Sequence, residues 1–196
     1  KYFIPLAFRI SNNLGVSGFL HPDGVYDDPK GGKLRELMYS RLRLHAQFRN
    51  ELLLFEGVGH PKKYSLNIYG YEGDRITFKS VCSLFHPATL DDSLSGCYCN
   101  EVIPLEKDEI GKWNTKGHPD RVVHIDEEIL GLFAKLYDEP GTPVRQAHLP
   151  AIYSAKLLDE VLKGFVQQNN QMSNSSYGVC EGWHETYAVE DGTIIR

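Results

Sequence analysis

Between residues 15 and 85, short apolar runs bounded by glycine and proline alternate with a stretch of helical spacing, and this alternation confines the chain to an α/β architecture. The opening KYFIPLAFRISNNLG predicts a helix with Phe3, Leu6, Ala7 and Ile10 on one face, stopped by Asn12, Asn13 and Gly15. GVSGFLHP reads as a buried strand that stops at His21 and Pro22, because proline has no N–H to give a ladder. From Lys33, the residues Leu34, Leu37, Met38, Leu42 and Phe48 recur near helical spacing while Arg35, Arg41, Arg43 and Arg49 fall mostly off that stripe. This predicts a charged helix packed through Leu34, Leu37 and Met38. A strand within Ala46 to Leu54, the turn EGVGHPKK and an alternating YSLNIYG strand follow, and the short connection makes the two strands antiparallel neighbours. RITFKSVCSLF at 75–85 predicts another strand, and HPATLDDSLSG a turn-rich segment with a domain boundary near 86.

The second half reads as more helical. Asp126 is an N-cap before Ile129, Leu130, Phe133, Leu136 and Tyr137, and Pro140-Gly141 ends that helix. Ser154 starts another, with Leu157, Leu158, Val161, Leu162 and Phe165 as its apolar stripe. The uncharged segment 167–178 predicts a mobile loop, and the tail WHETYAVEDGTIIR is expected to end inside or just after a strand.

The net charge of -5 conceals an uneven distribution, since residues 30–63 hold eight Lys/Arg against three Asp/Glu. Such a segment can neutralise phosphates, or it can be an ordinary solvated helix face. No run approaches the roughly 18 apolar residues that a spanning helix needs, so no membrane partner is expected. The chain begins at Lys1 with no basic-then-apolar leader, which predicts that it is part of a longer polypeptide. Four unevenly placed cysteines do not make a disulfide framework, and a reducing cytoplasm is the expected location.

Candidate chemistry is sparse. Cys82, His86, Cys97 and Cys99 offer four zinc ligands, but Cys97-x-Cys99 puts neighbouring ligands on opposite faces of an extended chain, which favours buried or free thiols. Gly31-Gly32-Lys33 lacks the spacing of a phosphate loop. Asp91-Asp92 and Asp138-Glu139 lie in turn-like sequence, where solvated carboxylates are expected.

The order of parts carries more. A helix (Phe3 to Asn13), a Gly-apolar strand ending in proline (Gly15 to Pro22), a charged helix (Lys33 to Arg49), a Phe-containing loop (Phe55 to Lys63) and a final hairpin strand (Tyr64 to Gly70) follow one another. This order resembles the second half of the catalytic domain of gamma-class adenine-specific DNA methyltransferases, as found in fused type II restriction-modification and phage-defence enzymes. GHPDRVVHID at 117–126 and the tail from Trp183 resemble the approach to the target-recognition region of the same enzymes. The resemblance implies an α/β fold, namely the second half of a Rossmann-like sheet in 1–86 followed by a mainly helical connector in 87–196. It also implies S-adenosylmethionine as cofactor and double-stranded DNA as partner of the full-length protein. The family's glycine-rich cofactor motif and its Asn/Asp-Pro-Pro-Tyr/Phe catalytic motif occur nowhere in the 196 residues. The chain by itself is therefore expected to hold no cofactor and to be inactive, needing the upstream part of the same polypeptide. A non-catalytic DNA-binding or specificity module on the same fold is the alternative.

By the same resemblance Phe55 stacks on the flipped target base, Lys62 and Lys63 contact backbone phosphates, and Phe3 packs on the cofactor's adenine ring. The plainer alternatives are a core role for Phe55 and for Phe3, and solvated surface for the lysines. His21 and Pro22 end their strand where open α/β sheets bind ligands, or merely stop it. Trp183, His184 and Glu185 reach DNA from the recognition region, or Trp183 anchors a core.

Overall fold

A computed structural model describes residues 2–96, 102–168, 176–179 and 184–193. Its centre is a five-stranded mixed sheet in the order β1-β3-β2-β4-β5, built from β1 (Ser17–Pro22), β2 (Leu42–Arg49), β3 (Lys63–Tyr69), β4 (Thr77–Leu84) and β5 (Val123–Asp126). The hairpin strand β3 lies antiparallel between β1 and β2, with Leu20 opposite Leu66 on one side and Ala46 opposite Leu66 on the other. β4 runs parallel to β2, and β5 antiparallel to β4. The strand, helix and two strands expected over 15–70 are present, with the three strands in this one sheet and the helix connecting the first two of them.

Helices α1 (Phe3–Ile10), α2 (Gly32–Tyr39), α4 (Glu127–Tyr137) and α5 (the helical segment 155–166) share one large core with the sheet; α3 (Pro87–Ser95) joins a smaller one around Ala46, Phe48, Val81 and Leu84. The sheet and the larger core run across residue 86, where a division was expected, because β5 and α4 pack onto strands from the first half. Asp126 caps α4 by accepting from the Ile129 N–H at 2.9 Å, and Ser154 caps the next helix through Leu157 N–H at 3.1 Å. That last helix widens into a π turn over Leu158–Leu162, which buries Leu158 and Leu162 and leaves Leu157, Val161 and Phe165 largely exposed.

Several local expectations change. The charged helix ends at Tyr39, and Leu42, Leu44, Ala46 and Phe48 alternate as a strand: a period of two there secures hydrogen bonds to two neighbouring strands, which a helix would forfeit. Met38 is fully buried and Leu34 partly so, whereas Leu37 stays 37% exposed. α1 buries Ile4 and Phe8, turning the expected face (Phe3, Leu6, Ile10) outward. β1 is an edge strand with alternating partial exposure rather than a buried one, and Leu20 is 51% exposed. HPATLDDSLSG is helical as α3, because the His86 ring accepts from the Ala88 N–H, Pro87 fits a first turn, and Gly96 at φ 69° closes the end. Asp91 and Asp92 lie on its solvent face. Toward the end of the chain, Glu185–Glu190 is a helix, α6, where the tail was expected to approach a strand; most of 167–178 and the final 194–196 lie outside the described residues. Among the described residues no helix is long and apolar enough to cross a membrane.

Candidate functional site

The carboxyl ends of β1, β2 and β4 point the same way, and beside the end of β1 lies a groove of about 550 Å³. One wall is Leu20, His21 and Pro22; the other comes from the loop between β2 and β3 together with the start of β3, and includes Phe55, Val58, Lys62, Lys63 and Tyr64. Three glycines or prolines in 57–62 (Gly57, Gly59 and Pro61) would leave such a loop free to wander, yet it is tied down from within. Asn50, completely buried, accepts from the Phe55 N–H and donates to the carbonyls of Phe55 and Val58. Its own N–H donates to the Lys62 carbonyl, closing the loop onto itself.

Phe55 is 39% exposed, which removes the core alternative. Its ring meets Tyr64 edge-on at 4.9 Å, and Tyr64 stacks on Phe48 at 5.5 Å with an angle of 6°, so an aromatic ladder supports one face of the groove. Lys62 and Lys63 are exposed, and neither forms a salt bridge among the described residues. Opposite them, His21 is held in one tautomer: Nδ1–H donates to the Pro22 carbonyl at 2.9 Å, and Nε2 accepts from the Asn67 amide at 3.0 Å. Burial lowers its pKa, and the neutral ring is the form that this arrangement satisfies.

Phe3 lies 74% exposed, not in the core, on an adjoining hollow of about 450 Å³ with Ile4, Phe19 and Val25. The two hollows share Leu20, His21 and Pro22. The structure therefore brings Phe3, His21, Pro22, Phe55, Lys62 and Lys63 together around the end of one strand. It does not assemble a basic face from the rest of residues 30–63. Arg35 is 1% exposed and donates to the carbonyls of Val25, Asp28 and Gln146. Arg41 pairs with Glu72 and covers the Phe8 ring, Arg43 covers Tyr71, Arg49 pairs with Glu106 and Lys33 with Glu36.

Trp183 lies outside the described residues; His184 precedes α6 with its ring 4.3 Å from Tyr187, and Glu185 opens that helix. Of the cysteine cluster, Cys82 is buried, His86 is spent as the α3 cap, and Cys97 and Cys99 lie outside the described residues.

A buried polar layer beneath the groove was missed by sequence reasoning. His45 Nδ1 meets Ser80 Oγ at 2.9 Å and its Nε2 meets Asp23 Oδ1 at 3.2 Å, while Gln47 donates to the other Asp23 oxygen. Ser80, His45 and Asp23 mimic a nucleophile, base and orienting acid, but they are 3%, 1% and 2% exposed, so substrate has no access and the set anchors the sheet. The signal was present as polar residues two apart on adjoining strands, His45 with Gln47 and Ser65 with Asn67.

The chain matches no protein-family model, no curated protein and no solved structure.

Proposed function

We propose that this chain is the target-base-handling part of an adenine-specific DNA methyltransferase of restriction-modification or phage-defence type, which transfers a methyl group from S-adenosylmethionine to the adenine amino group. The observation that carries this reading is the groove, where a half-exposed phenylalanine, two unpaired lysines and a positioned neutral histidine converge at the end of a strand. A planar base leaving a duplex needs an aromatic face to replace its stacking, and the adjoining phosphates need mobile cations. In this reading β1, β2 and β3 close a Rossmann-like sheet, and the observed order of helix, strand, helix, strand, Phe loop and hairpin strand supports it. The exposed Phe3 ring and its apolar hollow suit the cofactor's adenine. The 196 residues contain no glycine-rich cofactor loop and no Asn/Asp-Pro-Pro-Tyr/Phe motif, so no methyl-transfer step is assigned to this chain's own residues.

The test is made in the full-length parent. Phe55→Ala is expected to lower methylation by about 1–3 kcal/mol, roughly 5- to 150-fold, with duplex affinity nearly unchanged, because stacking acts only after extrusion. Lys63→Ala is expected to weaken binding to all sequences and to reduce the slope of log affinity against log salt by about one. Equal losses of folding, binding and methylation in the first variant, or an unchanged slope in the second, would remove that residue from the site. A parent without the two missing motifs would favour the non-catalytic DNA module.

A further inference from the structure

We infer that Asn50 is a positioning residue for the target base, acting through Phe55 by holding the loop that presents its ring; this rests on the base-handling reading above. The loop has almost no apolar anchorage, since Leu52, Leu53, Leu54, Phe55 and Val58 are 39–55% exposed. It also carries conformational cost, with Leu53 in the left-handed region at φ 51° and Gly57 at φ 79°. Beside the edge contact of Phe55 with Tyr64 and the pairing of His60 with Glu51, what opposes these terms is the Asn50 carboxamide. Asn50 Oδ1 accepts from the Phe55 N–H at 3.0 Å, and Nδ2 donates to the Phe55 carbonyl at 3.0 Å and the Val58 carbonyl at 2.8 Å. The main chain adds Leu53 N–H to the Asn50 carbonyl at 2.8 Å and Asn50 N–H to Lys62 at 3.1 Å. Both peptide groups flanking the Phe55 Cα are thus tied to one buried side chain, which fixes the direction in which the ring leaves the backbone.

The requirement is chemically narrow. An acceptor and two donors must coincide at one point, and among side chains of this size only asparagine supplies them. Aspartate keeps the shape and the acceptor but turns both donated hydrogen bonds into oxygen–oxygen contacts. The neighbouring strands do not depend on this carboxamide, because β2 and β3 are joined by their own ladder from Leu42 opposite Tyr69 to Arg49 opposite Lys63.

The experiment uses the 196-residue chain and a short single-stranded oligonucleotide carrying 2-aminopurine in place of one adenine, whose fluorescence falls when the base stacks. The unmodified chain is expected to quench it saturably, and Phe55→Leu to weaken the apparent affinity at least tenfold while leaving it measurable. Asn50→Asp should weaken apparent affinity at least fivefold and accelerate amide exchange across 52–58 at least tenfold, with exchange in β2 and β3 unchanged. The double variant should be no weaker than Phe55→Leu alone, a non-additivity that general destabilisation would not produce. Should Asn50→Asp fail to fold, Asn50→Ser takes its place, with the same pattern expected. Wild-type quenching and exchange in the Asn50 variant, or additive losses in the double variant, would overturn the positioning role. An unmodified chain that never quenches the probe, while its loop exchange still depends on Asn50, would instead overturn the base-handling reading.

Discussion

Arg35→Ala is expected to lower stability by about 3–5 kcal/mol, measured as the free energy of urea unfolding. Arg35 stands on α2 with 1% of its surface exposed, and its guanidinium donates to Gln146 at 3.0 Å, Val25 at 3.2 Å and Asp28 at 2.6 Å. Truncation leaves the buried Val25 carbonyl and the partly buried Asp28 and Gln146 carbonyls without this donor and opens a cavity where the second half of the chain docks on the first. The docking is shared with Tyr39, whose hydroxyl donates to the Ala147 carbonyl at 2.8 Å, and with Gln146, which donates to Glu36 at 2.8 Å. Arg35→Lys should recover little, since one ammonium cannot span three carbonyls that a planar fork reaches together. A loss below about 1 kcal/mol in Arg35→Ala would mean that these contacts are not what joins the two halves.

Stability should also decline as pH rises from about 6.5 to 9. Burial opposes a charge on His45, but its hydrogen bond to Asp23 and the nearby Cys82 thiol outweigh it and raise the His45 pKa from 6.5 to about 9. Since the folded value lies above the unfolded one, this contribution is complete below pH 6.5 and is lost as pH climbs through about 9. The change is worth about 3 kcal/mol. Asp23 behaves oppositely: despite its burial, His45 and Gln47 hold its pKa below 3.8, so its contribution is complete above that value and disappears in acid. Urea midpoints between pH 6 and 10 measure the effect. His45→Gln should flatten the alkaline limb, and an equally steep limb in that variant would place its origin elsewhere.

How much of this was legible in the sequence depended on how far apart the interacting residues are. β3 and β4 could be read from their alternation, and the helix starts at Asp126 and Ser154 from caps that span only three residues. The grouping of Phe55, Lys62 and Lys63 is also local, because one loop and the first residue of the strand that follows it carry all three. Their opposition to His21 and Pro22 is not: it exists because β3 inserts between β1 and β2, a choice made by the sheet.

Other features were beyond any local reading. Gly31 and Gly32 lack the spacing of a phosphate loop and had no role legible in the sequence; a Cβ at those positions would lie 2.8 Å from the Arg35 guanidinium and 2.9 Å from Gln146, so their glycines make room for a contact from more than 100 residues away. The segment after Tyr39 carried both helical and strand spacing, and two neighbouring strands decided between them. The sequence by itself thus determined the α/β class, most strands, the helix caps and the residue types carried by the loop between β2 and β3, all through contacts within a few residues. Only the tertiary structure decided the strand order, which face of α1 is buried, and that most of the arginines serve the protein's own carbonyls, rings and carboxylates, because each of those outcomes depends on partners that the chain brings together only on folding.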